Sequence, residues 1–488
     1  MHTEASPARA ARRYGRLVIA VCCSAVFMTT LDTTILNVAL PSVQRDLHAS
    51  GPALQWTVDS YVLVRASSLF ICGALSDRFG RRRAFRLGAL LFTLGSLACS
   101  LAASSGQLIL FRCVQGAGSA LMIPSSLAIL TGAFTGEAER ARAIGTWSGS
   151  TGVSMAAGPV FGGLLVVALG WRSVFWVNVP IGVACLAGTR LLPESRPSSP
   201  RPLDLAGQAM LATAVGALTY CLIAGPDDGW GTPAVVALFA LSAVCWAGFG
   251  AVERRVEHPL LWPGYFRAPA LSGAVVIAFT GYLVLGAFLF FNTLYLQEVR
   301  GMSPALAGLL TAPATVMSVV FAPWAARRAG VTGPRLPAVL ACVLMAAGTG
   351  VLAAEMTLPV PVWLLVPGYF VLGAGYGMVN PPATNSAVSA LPPDRAGVAG
   401  AITSTARQSG ANFGVALVGA VVFSAGAPVA AGTSMSAQLA AAFETGLRNG
   451  YTVAAVLAAA AAACAAWAFP RVPGEQAAAP GPAAGRHR

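Results

Sequence analysis

Charged residues are scarce in this sequence, and lysine is absent from it. Of the 488 residues only 10% are charged, all 31 basic residues are Arg, and 56% are hydrophobic. An ordinary soluble domain carries roughly 25% charged residues, because polar side chains must cover the surface around its core. The composition therefore excludes a soluble globular protein of this length.

Cysteine motifs and buried histidines are absent as well. The ten Cys fall within apolar runs, no CxxC pair occurs, and the four His lie in predicted tails or loops. Such cysteines are typical of small buried hydrophobic residues rather than of disulfides or metal ligands. With no catalytic His and no phosphate-binding loop, the sequence predicts no metal site, no bound cofactor and no enzyme active site.

Hydrophobic runs near twenty residues long dominate what is present. This is the length at which a helix crosses a bilayer, whereas a transmembrane β-barrel would show short alternating segments. We therefore predict an all-α polytopic membrane protein. The fourteen predicted spans cover residues 17–40, 53–75, 87–104, 107–132, 142–168, 171–192, 204–225, 233–252, 269–293, 303–326, 336–355, 360–382, 397–424 and 448–469.

Arginine is distributed unevenly between the connections of these spans. With the N-terminus in the cytoplasm, 24 Arg fall in cytoplasmic tails and loops, four in outer loops, and three within spans. This bias follows the positive-inside rule, so we predict a cell-membrane protein with both termini cytoplasmic. The net charge of +13 then reflects topology and does not indicate a nucleic-acid-binding face.

Short matches recur at nearly one spacing along the chain. Three of them are 255 to 257 residues apart: Gly116 and Gly118 with Gly373 and Gly375, Arg140 with Arg395, and Asn37 with Asn292. Two related halves with a substrate site between them are typical of transporters. The predicted parts are a cytoplasmic tail (1–16), an N-terminal six-helix bundle (17–192), a cytoplasmic linker (193–203), two additional helices (204–252), a cytoplasmic loop (253–268), a C-terminal six-helix bundle (269–469) and a disordered cytoplasmic tail (470–488).

Five ionisable residues lie well inside predicted spans, away from their ends, where insertion costs roughly 2.5–3.5 kcal/mol each at the helix centre: Asp32, Asp59, Arg65, Arg112 and Arg407. Asp32, Asp59 and Arg112 all fall roughly 8–12 Å beneath the outer surface, at 1.5 Å per residue. A carboxylate beside an Arg changes its proton affinity with their separation, so these three are candidates for proton coupling. The alternative is a structural ion pair between Asp59 and Arg112. Arg65 has no evident partner. It is either a functional residue or a residue that borders a water-filled space and so stays solvated.

Other polar side chains in the spans are candidates for a substrate cavity near the midplane. They are Asn37, Tyr61, Gln115, Asn292, Asn380 and Arg407. Arg407 has an alternative role, in which it donates to backbone carbonyls across a helix interface. The glycines of the fifth span, several at four-residue spacing, indicate a helix that packs closely and can bend at Pro159.

Four motifs resemble those of the fourteen-helix drug:proton antiporters of the major facilitator superfamily. They are LDTTILNVALP at 31–41, GALSDRFGRRR at 73–83, the set around Arg112 and Gln115 in the fourth span, and GPVFGG at 158–163. The segments WTVDSY at 56–61 and IPSS at 123–126 are most similar to the methylenomycin-resistance subgroup. Ser154 departs from the fifth-span motif, which usually carries Gly there.

The resemblance implies roles for matching positions only. Six residues are expected to form a cytoplasmic conformational latch: Gly73, Asp77, Arg78, Gly80, Arg81 and Arg82. Asp77 is expected to face a helix N-terminus, and the second half lacks an equivalent Asp. The antiporter motif of the fifth span, implied to favour export over uptake, comprises Gly158, Pro159, Gly162 and Gly163.

The resulting hypothesis is a proton-coupled antiporter that exports small toxic molecules by alternating access. It requires no cofactor, since the proton gradient supplies the energy, and its partners are a drug or antibiotic, protons and lipid. We expect a monomer that binds no nucleic acid. Alternatives are a proton-coupled uptake symporter and a membrane-embedded enzyme or sensor. Resistance to one antibiotic and broad multidrug export both remain open.

Overall fold

The computed structural model describes residues 7–134, 136–194, 204–256, 263–357, 360–391, 396–425 and 437–469. These ranges are helical apart from short turns and contain no β-strand. The helices are α1 (Pro7–Leu47), α2 (Gly51–Phe79), α3 (Arg81–Ser100), α4 (Ser105–Ala133), α5 (Glu137–Leu169), α6 (Ser173–Trp176), α7 (Asn178–Gly188), α8 (Leu205–Asp228), α9 (Pro233–Glu253), α10 (Pro269–Leu294), α11 (Pro304–Thr332), α12 (Arg335–Glu355), α13 (Leu365–Ser389), α14 (Ala396–Ser424) and α15 (Ala437–Ala468).

A helix occupies each of the fourteen predicted span positions, with α6 and α7 together forming the sixth. By length and composition ten spans are apolar enough to cross a membrane, and twelve if the bent helices α2 and α5 count as one span each. The other two are α3, which begins with three consecutive Arg, and α14, whose middle carries Arg407, Gln408 and Asn412. The predicted all-α polytopic architecture is confirmed.

Several predicted boundaries differ from those in the structure. Helix α1 begins at Pro7 and ends at Leu47, and α15 begins at Ala437, eleven residues before the predicted start. Hydropathy marks only the part of a helix that lies in lipid, so it misses extensions into water. Residues 1–6, 195–203, 257–262 and 470–488, from the predicted tails, linker and loop, lie outside the described ranges.

The two predicted halves pack in the same pattern. Helices α2 and α3 contact α4, and α1 contacts α5, just as α11 and α12 contact α13, and α10 contacts α14. The repeated glycines explain this symmetry, because each lies against the main chain of a neighbouring helix. Gly116 and Gly373 meet the second helix of their half at Tyr61 and Ala314, and Gly118 and Gly375 meet the third at Phe92 and Met345.

Helices α8 and α9 pack against each other, and α8 also contacts both halves through α2 and α14. Thr219 of α8 donates a hydrogen bond to Asn412 of α14 at 2.7 Å. On the other side, the ring of Tyr220 lies 6.1 Å from that of Trp56 in α2. The additional pair therefore lies across the seam between α2 and α14.

The halves meet at one end of the bundle, which we call the far side because it is opposite the start of α1 and the end of α15. Gln55 Nε2 of α2 donates to the carbonyl of Val415 in α14 at 3.0 Å. Gln297, in the turn after α10, donates to the carbonyl of Val38 in α1 at 2.9 Å. A Cβ added at Gly163 of α5 would lie 2.6 Å from a carbonyl oxygen of α11.

The same helices separate toward the end that carries the chain termini, the termini side. A Cβ added at Gly145 or Gly149 of α5, at Gly73 of α2 or at Gly400 of α14 would meet no atom within 4 Å. Close contact on the far side and open space on the termini side describe a transporter-like bundle that is closed at one end. The conformation follows from glycine contacts that only tertiary packing reveals.

Candidate functional site

Asp32 of α1 is completely buried, and both of its carboxylate oxygens accept hydrogen bonds. Arg112 Nη1 of α4 donates to Oδ2 at 2.5 Å. Gln115 Nε2 and Asn178 Nδ2 donate to Oδ1 at 2.7 and 2.9 Å. A buried charge persists in a protein only when it is paired and hydrogen-bonded, so this network is what holds the carboxylate inside the N-terminal half.

Arg112 has partners besides the carboxylate. Its Nε donates to the main-chain carbonyl of Thr57 at 3.1 Å, and Nη1 also donates to Gln115 Oε1 at 2.7 Å. Its Cζ lies 4.2 Å from the centre of the Tyr61 ring, within the range of a cation–π interaction. The guanidinium therefore keeps favourable contacts with α2 and α4 even when the carboxylate loses its charge.

Asn178 and Ser96 complete the network, and neither was singled out by the sequence. Ser96 Oγ of α3 accepts from Asn178 and Gln115, at 3.1 and 3.3 Å, and donates to the Phe175 carbonyl at 3.0 Å. The sixth span was predicted as one continuous helix, and α6 and α7 run on through Val177 with helical backbone angles. Asn178, at the first turn of α7, faces Asp32. Polar residues within an apolar span were the available signal.

Asp59 of α2 is completely buried but lies apart from this network. No ion pair joins it to any residue in the described part of the chain, and Asn412 of α14 donates to its main-chain carbonyl at 3.4 Å. The structural alternative of an Asp59–Arg112 pair is wrong, because Arg112 is paired with Asp32. Asp59 instead lies at the seam where α2, α8 and α14 meet.

Three residues predicted to line the substrate cavity are enclosed within their own halves. Tyr61 donates to Ser119 Oγ at 3.0 Å, and Gln115 belongs to the Asp32 network. Asn292 accepts a hydrogen bond of 2.5 Å from Tyr369. Because all three are buried by neighbouring helices, none of them lines an open cavity in this conformation, which corrects the prediction.

The other cavity candidates lie closer to the space between the halves. Asn37 borders a small cavity between α1, α5, α10 and α11, with room for about one water. Asn380 of α13 donates to the hydroxyl of Tyr282 at 3.2 Å. Arg407 is half-buried near the middle of α14 and lies close enough to Tyr376 to act on it electrostatically.

The predicted latch lies at the termini side of α2, α3 and α4. Gly80 forms the single-residue turn between α2 and α3 with φ of 104°, a conformation that favours glycine. Arg81, the first residue of α3, donates to Asp77 at 3.4 Å and to the Ala128 carbonyl of α4 at 3.3 Å. Asp77 itself lies in the last turn of α2 and reaches the start of α3 through this side-chain contact; that it faces a helix N-terminus stays a prediction.

The remaining latch residues make weaker contributions to these contacts. Arg82 contacts Glu194 through its main-chain nitrogen at 3.2 Å. Arg78 is exposed, and Gly73 faces open space. In this conformation the latch joins helices of the N-terminal half to one another, with Arg81 as the residue that connects all three.

Replacing Arg81 by Ala should lower the export rate about fivefold. Its partly exposed contacts with Asp77 and Ala128 are worth about 1 kcal/mol to the packing of α2, α3 and α4. Arg82→Ala is the matched control, because its contact comes from the main chain and survives the substitution. Initial export rates normalised to protein amount measure the difference, and an equal loss in both variants would contradict this role.

The fifth-span motif contacts both halves. Gly158 and Gly162 lie against Thr34 and Ile35 of α1, where a Cβ would overlap the neighbouring side chains. Gly163 and the carbonyl of Pro159 lie against the first turns of α11. The motif therefore packs α5 simultaneously onto α1 of its own half and onto α11 of the other half.

Comparison with known proteins places this geometry in a family. Residues 22–415 match the Major Facilitator Superfamily. The chain belongs to that superfamily. It is 38% identical over 430 residues to the tetracenomycin C resistance and export protein of Streptomyces glaucescens, covering 87% of this chain and 78% of that protein. It is 35% identical over 402 residues to the methylenomycin A resistance protein of Streptomyces coelicolor, covering 81% and 83%.

The superfamily fold is also evident in solved structures. A bacterial homologue of the human lysosomal transporter Spinster, in an inward-facing and unoccupied conformation, matches with a TM-score of 0.65 at 17% identity, covering 95% of this chain and 97% of that one. The predicted resemblance to the superfamily's antibiotic-resistance exporters is confirmed. The protein is a multi-pass membrane transporter and not an enzyme.

Proposed function

We propose that this transporter exports small antibiotic-like molecules in exchange for protons, with Asp32 as the proton-binding group. The observation that carries this proposal is the buried Asp32–Arg112 pair with its surrounding donors. A carboxylate whose partner can be retained by other groups is able to gain and lose a proton without stranding an unsolvated cation. Thr57, Gln115 and Tyr61 are those other groups for Arg112.

The two residues of the proton site, Asp32 and Arg112, are each linked through a helix to a hydrogen bond between the halves. Asp32 lies six residues before Val38, about 9 Å along α1, and Val38 accepts the hydrogen bond of Gln297. Arg112 binds the carbonyl of Thr57, two residues after Gln55, which donates to α14. A change in the Asp32–Arg112 pair thus acts on α1 and α2, the helices that hold the far side closed.

Termini in the cytoplasm, as the arginine distribution predicts, make the present conformation inward-facing. Drug then enters from the cytoplasm, and rocking of the halves opens the far side for release. One proton moving inward across 100 mV supplies about 2.3 kcal/mol. A tenfold gradient of a neutral solute costs about 1.4 kcal/mol, so one proton per molecule suffices for more than tenfold accumulation outside.

Everted membrane vesicles provide the test. Tetracenomycin C, methylenomycin A and ethidium serve as test compounds, because relatives of this chain are named for the first two. We expect vesicles with an acidic interior to accumulate at least one of them and to release protons as they do so, as followed by an acridine dye. Nigericin, which collapses the pH gradient, should abolish accumulation.

The outcomes separate the proposal from its rivals. An uptake symporter would carry compound and protons in the same direction, and a sensor or enzyme would carry neither. Vesicles without the protein control for passive diffusion. Accumulation that is equal with and without a pH gradient would contradict proton coupling.

A further inference from the structure

Two arginines near the middle of their helices, Arg65 and Arg407, form no ion pair with an acidic side chain in the described ranges. Arg65 lies at the midpoint of α2, where its Cζ is 6.0 Å from the centre of the Tyr61 ring and its Nε is buried without a hydrogen-bond acceptor. No hydrogen bond or ion pair joins Arg407 to any residue in the described ranges. Both side chains are half-buried, so neither is simply a surface cation. Neither arginine belongs to the Asp32–Arg112 network. Ionisable groups inside a membrane are costly, so they are candidates for a functional role.

The two arginines lie at one level on neighbouring antiparallel helices. Asn412 of α14 donates to the main chain of Asp59 in α2, which fixes the register of the seam. Arg65 lies six residues beyond that contact and Arg407 five, so both are about 8–9 Å from it on the termini side. This is the direction in which the halves separate.

The facing direction of Arg65 follows from its helix. It is about 240° around α2 from Asp59, which explains why the two form no ion pair. It shares a face with Val58, two turns earlier, and Val58 packs into the core cluster that α1 and α10 also line. Arg65 therefore lies on the face of α2 that points to the centre of the bundle, closer to the open end than Val58.

Aromatic and amide groups accompany the arginine of the second half. The Tyr282 and Tyr376 rings of α10 and α13 pack edge to face with centroids 5.4 Å apart. Asn380 donates to the Tyr282 hydroxyl, and Arg407 acts electrostatically on Tyr376. Planar aromatic ligands stack against such rings, and guanidinium groups bind carboxylates and phenolates with charge-assisted hydrogen bonds.

The membrane-embedded carboxylates cannot neutralise these cations. Asp32 is held by Arg112, and Asp59 is buried on another face of α2. We propose that Arg65 and Arg407 form the opposing walls of a midplane site that binds the exported substrate as an aromatic anion, a carboxylate or phenolate. This inference rests on the proposed export function and specifies its substrate class. A bound anion is attracted by both positive charges and offsets their mutual repulsion.

Binding to the purified full-length protein in lipid nanodiscs tests the inference without any proton gradient. Anthracene-9-carboxylate, 9-anthracenemethanol and 9-anthracenemethylammonium form a matched anionic, neutral and cationic set, and alizarin at pH 8 supplies a phenolate. Fluorescence titration should give the tightest binding for an anion. Binding of the carboxylate, the phenolate or both supports the site and identifies its headgroup.

Substitutions then assign the affinity to the two side chains. Arg65→Gln and Arg407→Gln should each weaken binding of the anion about tenfold, the loss of one charge-assisted interaction. Binding of the neutral alcohol should change less than twofold, and Arg65→Lys and Arg407→Lys should retain most of the affinity. Arg448→Gln, on the exposed surface of α15, is the matched control.

Three results would overturn the inference: binding of no anion, tighter binding of the ammonium compound, or unchanged anion affinity in the Arg65→Gln/Arg407→Gln double variant. The proposed export function fails separately, when vesicles show no proton-driven accumulation although the purified protein still binds the anion. Export confined to cationic compounds would retain the function and refute the substrate class.

Discussion

Asp32→Asn should abolish proton-driven export while the protein remains in the membrane. The substitution removes the carboxylate paired with Arg112 and leaves a site that no longer gains or loses a proton. Export rates in everted vesicles should fall at least a hundredfold, to about the level of passive diffusion, if one group carries all coupled protons. Asp228→Asn, which alters an exposed carboxylate at the end of α8, should leave the rate within twofold.

A second variant separates coupling from stability. Removing one member of an unsupported buried ion pair costs about 3–5 kcal/mol. Thr57, Gln115 and Tyr61 still hold the guanidinium of Arg112, so Asp32→Asn alone should lower the thermal unfolding temperature only modestly. Arg112→Gln added to Asp32→Asn removes the remaining unneutralised charge, and the double variant should be at least as stable as Asp32→Asn without regaining export. Recovery of proton-driven export in the double variant would show that the pair is structural.

Gly163→Ala should lower export about tenfold or more. The new Cβ would lie 2.6 Å from the carbonyl oxygen of Pro304 and 2.7 Å from the Cα of Ala305. Both neighbours are main-chain atoms at the start of α11, which cannot rotate away as a side chain would. Overpacking of this kind costs about 1–3 kcal/mol. Here it would destabilise the conformation in which the far side is closed.

The same helix supplies the control. Gly149→Ala places an identical methyl group where no atom lies within 4 Å, so export should stay within twofold of the original rate. Reaction of a cysteine introduced at Gln297 with an impermeant maleimide reports opening of the far side. We expect faster labelling in Gly163→Ala than in Gly149→Ala, and equal export and equal labelling in the two variants would contradict this account of the seam.

Fold and family were predictable because they depend on patterns that survive without tertiary contacts. A run of about twenty apolar residues requires a helix in lipid, whatever its neighbours are. The repeated glycines predicted two related halves, and the structure adds that they allow the main chains of α4 and α13 to approach their neighbours closely. That Arg112 meets a buried carboxylate was accessible too, because opposite charges at equal depth in one bundle are costly apart.

The assignment of partners was not accessible to the sequence. Equal depth made Asp59 and Asp32 equivalent candidates for Arg112, and only packing placed Asp59 at the seam with α8 and α14. Tyr61 and Gln115 were predicted in the cavity because polar groups in spans usually face water. Their hydrogen bonds instead enclose them within the N-terminal half, and only the rotation of the sixth span shows that Asn178 joins them.

Sequence by itself therefore determined that this chain is a helical membrane transporter with two related halves, buried carboxylates near an arginine and a fifth helix of the type that the resemblance associates with export. Tertiary structure alone decided which side of the bundle is closed, which carboxylate binds Arg112, and that Arg65 and Arg407 have no counter-ion among the described residues. The physical reason is that hydropathy and charge depend on residue type, which the sequence records. The pairing of buried charges depends on helix rotation and register, and a one-residue turn of 100° changes both.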